Sequence, residues 1–214
     1  MKTKKHDFIE IEYIGKIKST GKIFDLTSEK LAKEKNLYNE NIEYGPKIIC
    51  VGENFIIPGL DKQLIGKETN KTYTLEIPAE EAFGKKDPKL IKLVSTSKFK
   101  DQKIKPFPGL QINVDGFIGI IRTVSGGRTI IDFNHPLAGH DLLYEIKINK
   151  IIKDTKTKLN SLVKLFFKKE IANIEKDTAI IKADIPEKLQ NIIKEKIKKL
   201  IPEIKQIKFE KEKK

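Results

Sequence analysis

The sequence predicts an α+β protein: an antiparallel sheet around a short helix, interrupted by an inserted small β-domain and followed by a C-terminal α-β-β-α-β domain. Three observations predict it. Apolar and polar residues alternate near Phe8, near Thr72 and near Asp141, the two-residue period of half-buried strands. A stretch of hairpin signals, punctuated by Pro and Gly, lies between the last two. Beyond Asp154 the pattern changes to apolar residues at helical spacing. At 214 residues the chain has room for one to three domains and a real core.

Phe8 to Lys18 alternates through Glu10, Ile11, Glu12, Tyr13 and Ile14, and Thr20-Gly21 then supplies a turn before Lys22-Ile23-Phe24-Asp25; this is a β-hairpin signal. Ser28 to Asn36 sets helix formers behind a Ser cap and reads as a short surface helix. Pro46 to Val51 reads as a strand. Between Ile56 and Gly66, Leu60, Leu64 and Ile65 take helical spacing and Gly66 offers a C-terminal cap, so one short central helix is expected. Thr72 to Ile77 alternates as a strand, and Pro78 to Gly84 is a loop.

Residues 89–135 look like a module of their own. They open with Ile91, Leu93 and Val94 and pass through Pro106-Phe107-Pro108-Gly109. Three strand candidates follow, Leu110 to Val114, Phe117 to Val124 and Arg128 to Phe133, parted by Asp115-Gly116 and Ser125-Gly126-Gly127 turns. Asp141 to Ile152 alternates again and is expected to return to the first sheet. In the tail, Lys158 to Lys168 carries Leu159, Leu162, Val163, Phe166 and Phe167 on one helical face. Ile171 to Ile174 and Ala179 to Ile185 read as a hairpin. Pro186 opens a helix bearing Leu189, Ile192, Ile193, Ile197, Leu200 and Ile201, and Ile204 to Glu210 reads as a last strand. The expected domains are thus 1–88 with 136–153, an insert at 89–135, and 154–214. A domain of about 60 residues is marginal alone, and its apolar helix faces want a partner; a second copy is the simplest.

Charge and composition narrow the function classes. Against 43 Lys and Arg stand 30 Asp and Glu, a formal charge of +13, of which +8 lies in residues 155–214. Such a balance suits an acidic partner such as RNA or a ribosome, or simply a solvated Lys-rich surface, since Arg122 and Arg128 are the only arginines. No Gly-x-x-Gly loop or RNP-like aromatic pair accompanies it in the tail. The single cysteine, Cys50, excludes a disulfide framework within the chain; between Ile49 and Val51 it reads as a buried, inert thiol. There is no apolar leader and no membrane-length apolar run, so a soluble cytoplasmic protein is expected. His6, His135 and His140 are too few and too scattered for a zinc pattern, and the Gly-rich phosphate-binding fingerprints are absent.

Tyr13-Ile14-Gly15, then Gly21-Lys22-Ile23-Phe24-Asp25, then Ile56-Ile57-Pro58-Gly59-Leu60 resemble the FKBP family of peptidyl-prolyl cis/trans isomerases. Ala82-Phe83-Gly84 is similar to that family's pocket-rim Ala-Tyr-Gly. Ile131-Asp132-Phe133-Asn134-His135-Pro136-Leu137-Ala138-Gly139 resembles a segment typical of its SlyD-type members, which carry an insert-in-flap chaperone domain where 89–135 lies. The Ser28 to Tyr44 insertion and the α-β-β-α-β tail resemble the long archaeal members. The resemblance implies a pocket of Tyr13, Phe24, Asp25, Ile56, Ile57, Leu60, Phe83 and Tyr144. Leu60 would form its floor where many relatives have Trp, and Ile56 and Ile57 a wall. The Ile57 backbone N–H would hold a substrate carbonyl, Asp25 would face the amide with Tyr13 nearby, and Tyr144 would close the far side. It also implies that the insert grips unfolded chain, with Ile91, Leu93, Phe99, Phe107, Ile118 and Ile120 as candidate contacts among more apolar residues than such a module readily buries.

These residue types suit the implied reaction. Rotation about an X-Pro bond faces a barrier of about 18–20 kcal/mol from amide conjugation, and no bond to an outside atom is made or broken. No acid, base, metal or cofactor is required. An apolar pocket that favours the twisted amide over either planar form, with a few oriented polar groups, is sufficient. Phe83 lacks the hydroxyl of the usual Tyr, one hydrogen bond fewer at about 0.5–1.5 kcal/mol, which should weaken macrolide inhibitors more than turnover. Leu60 makes a shallower floor. The His-rich tail of some SlyD proteins is absent, so no bound nickel is expected. The partners implied are unfolded or proline-containing polypeptides and a homodimer through 154–214. Two other readings stay open: an RNA- or ribosome-associated protein on an FKBP scaffold, and a holdase with a vestigial pocket.

Overall fold

The computed structural model describes residues 1–101, 103–167 and 172–210 and is an α+β protein built on three sheets. In chain order its elements begin with β1 (Phe8–Ile17), β2 (Ile23–Leu26), α1 (Glu29–Glu34), β3 (Lys47–Cys50), α2 (Pro58–Gln63) and β4 (Lys71–Ile77). The insert supplies β5 (Ile91–Ser95), α3 (Ser97–Asp101), β6 (Gln111–Val114), β7 (Phe117–Ser125) and β8 (Arg128–Asp132). β9 (Leu142–Ile151) follows, and the tail holds α4 (Thr155–Phe167), β10 (Ala172–Glu175), β11 (Thr178–Lys182), α5 (Glu187–Leu200) and β12 (Gln206–Glu210).

The first sheet runs β2-β1-β9-β4, with β3 on the same side of β1 as β2, and every pair in it is antiparallel. The alternation seen in the sequence explains its two faces. Ile9 and Ile11 of β1, Leu75 and Ile77 of β4, and Tyr144, Ile146 and Ile148 of β9 are buried on one face, and α2 lies on it through Leu60 and Leu64. Ile65 faces away, half exposed, and Gly66, at φ +79°, follows the helix end. Gly59 is where α2 crosses the end of β4: a Cβ there would stand 2.6 Å from Ile77 Cγ2. Ser28 caps α1 as expected, its hydroxyl accepting from the Leu31 N–H at 3.3 Å.

The insert is a four-stranded antiparallel sheet ordered β5-β8-β7-β6. Ile91 to Ser95 is its fourth strand, and α3, five residues long, was not legible in the Lys-rich run that forms it. Its two connections to the first sheet are fastened together. Gly139 N–H donates to the Gly84 carbonyl at 2.8 Å and Phe133 N–H to the Leu90 carbonyl at 2.9 Å. Between them Asn134 clips Asp87 twice, accepting from its N–H at 2.8 Å and donating to its carbonyl at 3.0 Å.

Asp132, only 2% exposed, accepts from Lys86, Arg122 and both the backbone and side chain of Asn134. Burial alone would raise its carboxyl, but these donors outweigh it and hold the group down at about 2. The unfolded value near 3.9 is higher, so this contribution to stability is present above about pH 4 and is lost as the pH falls towards 2. A shift of that size is worth roughly 2–3 kcal/mol. Asp132→Asn should therefore lower the urea midpoint of the insert at pH 7, with a smaller difference from the native chain at pH 2.5. Equal midpoints at pH 7 would refute the account.

The tail follows the expected order α-β-β-α-β. β10 and β11 form the hairpin, and β12 returns through α5 to lie parallel to β11. Lys168 and Ile171 lie outside the described residues. The strands are shorter than the sequence suggested: β11 ends at Lys182 rather than Ile185, and Ile204 is buried ahead of β12. Leu159, Leu162, Val163, Ile193, Ile197, Leu200 and Ile201 are buried as the helical spacing predicts, whereas Phe166, Leu189 and Ile192 stay exposed. What covers the tail's apolar face is the first sheet. Phe8, Cys50 and Ile152 belong to the same buried cluster, with Ile48 and Phe55 packed against it. Among the described residues no helix is long and apolar enough to cross a membrane.

Candidate active site

A cavity of about 410 Å³ opens between α2, the β1–β2 hairpin and the two connections to the insert. Tyr13, Phe24, Asp25, Ile56, Ile57, Leu60, Phe83 and Tyr144 all line it, so every residue proposed for the pocket from the sequence is gathered in one place. Leu60 is buried at its base. The walls are packed rings: Tyr13 and Tyr144 at 5.7 Å, Phe24 edge-on to Tyr144 at 5.9 Å and to Phe83 at 6.5 Å. Register explains the Phe24–Tyr144 contact, because Gly15 lies directly opposite Tyr144 and a Cβ on it would stand 2.8 Å from Phe24 Cζ and 3.2 Å from Tyr144 Cε1. The bare backbone of Gly15 is the floor on which those two rings rest.

The polar groups are few. The Tyr13 hydroxyl donates to Asp25 Oδ2 at 2.8 Å. Burial, then the neighbouring Asp25 charge and that hydrogen bond, push the Tyr13 phenol far up, so it stays a donor. Burial and Asp25 raise Tyr144 likewise. Ile57 is the residue before α2, and its carbonyl accepts from Leu60 and Asp61. Among the described residues its own N–H finds no acceptor within the protein. The cavity is a ring-walled socket with, among the described residues, one unpaired amide N–H and one carboxylate at its mouth.

Three lining residues escaped the sequence reading: Phe55, His135 and Leu137. His135, set aside in the sequence as no part of a zinc pattern, lies flat on Phe83, ring centroids 4.3 Å apart and planes 4° apart. Its Nδ1 accepts from the Leu137 N–H at 3.2 Å, so the neutral ring carries its hydrogen on Nε2. That stack joins positions far apart in the chain, which no local period reveals. Asp61 was missed as well. Buried in α2, it accepts from the N–H groups of Gly52 and Asn54 at 2.8 Å each and so fixes the turn that delivers Phe55, Ile56 and Ile57. The tail holds the same turn from outside: Lys199 pairs with Glu53 at 2.7 Å, and the Lys196 ammonium stands 5.0 Å over the Phe55 ring.

The residues proposed for the insert divide between two surfaces. Phe99 is buried in its core with Ile121 and Ile131. It lines a cleft of about 580 Å³ with Val94, Ile104, Leu110, Ile112 and Phe133. Ile91, Leu93, Phe107 and Ile118 are exposed and outside the cleft, and Ile120 is half-buried beside Asp132 on the neighbouring strand. Pleating separates them: Leu93 alternates with Val94, and Ile118 with Gly119, so one set faces the cleft and the other faces away. Cys50 is buried, and burial first, then the charges of Glu53 and Asp61, push its thiol up to about 12.

Comparison with known proteins decides the family. Residues 1–102 match the model of the FKBP-type peptidyl-prolyl cis-trans isomerase, and residues 92–137 match that described as FKBP26, IF domain. A short-type peptidyl-prolyl cis-trans isomerase of Methanocaldococcus jannaschii is 33% identical over 148 residues, 69% of this chain and 93% of that protein. The chain belongs to the FKBP family of peptidyl-prolyl cis-trans isomerases. An FKBP-type 16 kDa isomerase of Escherichia coli is 29% identical over 110 residues, half of this chain and 74% of the relative. The SlyD isomerase of Treponema pallidum is 28% identical over 116 residues, 52% and 65% respectively. In this FKBP-type isomerase the ring-walled cavity joins side chains from both segments of the first sheet with two from the far connection to the insert, His135 and Leu137.

Proposed function

We propose that the cavity around Tyr13 and Tyr144 is where this isomerase docks and twists X-Pro bonds, and that the insert holds unfolded polypeptide close by. The observation that carries the first half is the free Ile57 N–H at the edge of a socket walled by Phe24, Phe83 and Tyr144. A prolyl ring fills the apolar socket while the amide nitrogen, losing conjugation, is relieved of planarity away from water. The Ile57 N–H holds the substrate carbonyl, and Asp25, fixed by the Tyr13 hydroxyl, faces the rotating amide.

The second half is supported by the insert's 580 Å³ cleft and by the exposed Leu93, Phe107 and Ile118, which leave apolar surface open to a partner chain. Chain held there meets the pocket at a raised effective concentration. The parts that carry these roles are 1–88 with 136–153 for catalysis, 89–135 for chaperone binding, and 154–214 as a buttress and dimer contact. Leu189 and Ile192, exposed on α5, support the dimer. Sedimentation of the intact chain reads it, and a monomer at all concentrations would remove it. The place of action proposed is the cytoplasm.

The testing experiment measures prolyl isomerisation on a short peptide and on a proline-limited refolding protein, with residues 89–135 present or replaced by a tight turn. Activity on the peptide should survive the replacement, and activity on the refolding protein should fall by about a hundredfold or more. No activity on the short peptide even with the insert present would favour a holdase with a vestigial pocket, and loss of neither activity on replacement would leave the insert without the proposed role.

A further inference from the structure

A second cavity, of about 580 Å³, lies between α4 and β3. Tyr13, Phe55 and Ile56 line both it and the prolyl pocket, so it begins where the pocket ends. One wall is β3 with Ile48 and Ile49. The other is a single stripe of α4, on which Asn160, Ser161 and Leu165 follow one another at helical spacing while Leu159, Leu162 and Val163 turn into the core.

Three features of this groove point to a strand-like occupant. β3 pairs with β1 and, among the described residues, with no other strand, so its outer edge carries backbone groups without a ladder partner. Asn160 Oδ1 is buried and, among the described residues, accepts no hydrogen bond, an unmet acceptor that a donor entering the groove would satisfy. Leu165, half exposed, offers apolar contact to an occupant of the groove. Lys164 and Glu43 pair at 2.5 Å and tie the two walls together.

We propose that this groove is an extended subsite of the isomerase, and that it takes the extended segment of the polypeptide substrate flanking the target proline. The proposal rests on the prolyl-pocket reading above. A flanking segment laid along the β3 edge finds backbone partners, apolar walls and the Asn160 acceptor, and leaves its proline at the shared Tyr13–Ile56 border. The tail thereby takes part in substrate choice: α4 forms half of a site whose other half is catalytic-domain strand.

The test compares two peptides on the full chain: a blocked prolyl tetrapeptide, and the same core extended by six residues at each end. The extended peptide should have the lower KM. Ser161→Trp, which fills the groove, and Leu165→Asp, on a half-exposed position, should each raise that KM about tenfold with kcat and the tetrapeptide's kinetics unchanged. Equal KM values for the two peptides on the native chain would overturn the proposal, as would variants that shift neither peptide or both alike. Asp25→Ala separates this from the pocket reading: it should depress turnover of both peptides. Full turnover of both in that variant would remove the pocket whatever the groove variants do.

Discussion

Gly15→Val is expected to cut turnover of a short prolyl peptide by about a hundredfold while leaving a cooperatively folded chain. The reason is spatial. The first carbon added at Gly15 already meets Phe24 Cζ at 2.8 Å and Tyr144 Cε1 at 3.2 Å, well inside ordinary contact, and valine adds two more carbons. Tyr144 is buried and edge-packed against Phe24, so it has little room to retreat, and the ring that gives way is Phe24, into the socket. The strand itself accepts valine, since Gly15 does not have the left-handed backbone that would forbid a side chain. Overpacking should cost about 1–3 kcal/mol, which a thermal melt would register as a modest drop. Isomerisation within twofold of the native chain would show that Phe24 and Tyr144 do not shape the docking site. The result reads the site through its geometry alone, because no polar group changes.

The same glycine shows what the sequence made legible. Tyr13-Ile14-Gly15 followed by Phe24-Asp25 and by the Ile56 to Leu60 run pointed to one pocket through their resemblance to a family, whereas alternation and helical spacing alone mark Phe24, Ile56, Leu60 and Tyr144 only as core. Contacts that cross between segments left no such trace. Phe83 meets His135 only because the two connections of the insert are zipped by Asn134 and the Gly84–Gly139 bond, and neither partner sits in a periodic run. Phe55 is in a turn held by Asp61, so no helix or strand period marks it. The insert's apolar residues were recognisable as too many to bury, but not which side of the sheet each would take. Strand pleating turned Leu93 and Ile118 outward, and α3 laid Phe99 into the core with Ile121 and Ile131. The tail's order of elements was readable from its composition. What covers its apolar face was not, since a second copy and the first sheet satisfy the same hydrophobic pattern.

Ending the chain after Lys153 should therefore do more than remove a basic appendage. Phe8, Cys50 and Ile152 are buried in one cluster with Leu162, Ile197 and Ile201, and removing the tail returns that face of the first sheet to water. Each large side chain so exposed forfeits about 1.5–3 kcal/mol, a combined loss on the order of 5 kcal/mol. Against a total of about 5–15 kcal/mol for a domain, that is a large share, and the truncated chain should melt far lower and aggregate through the bared patch. The pocket should suffer as well. The turn carrying Phe55, Ile56 and Ile57 loses the Lys199–Glu53 pair and the Lys196 contact, keeping the Asp61 clip from α2 and the contact of Glu53 with His6. A milder variant keeps the two effects apart: Lys199→Ala in the full chain leaves the buried cluster intact, so it should reduce isomerase activity with a melting temperature close to native. A truncated chain as stable as the full one would mean that the tail folds beside the first sheet without bracing it. A Lys199→Ala chain with native activity would mean that the wall of the pocket is held without the Lys199–Glu53 pair.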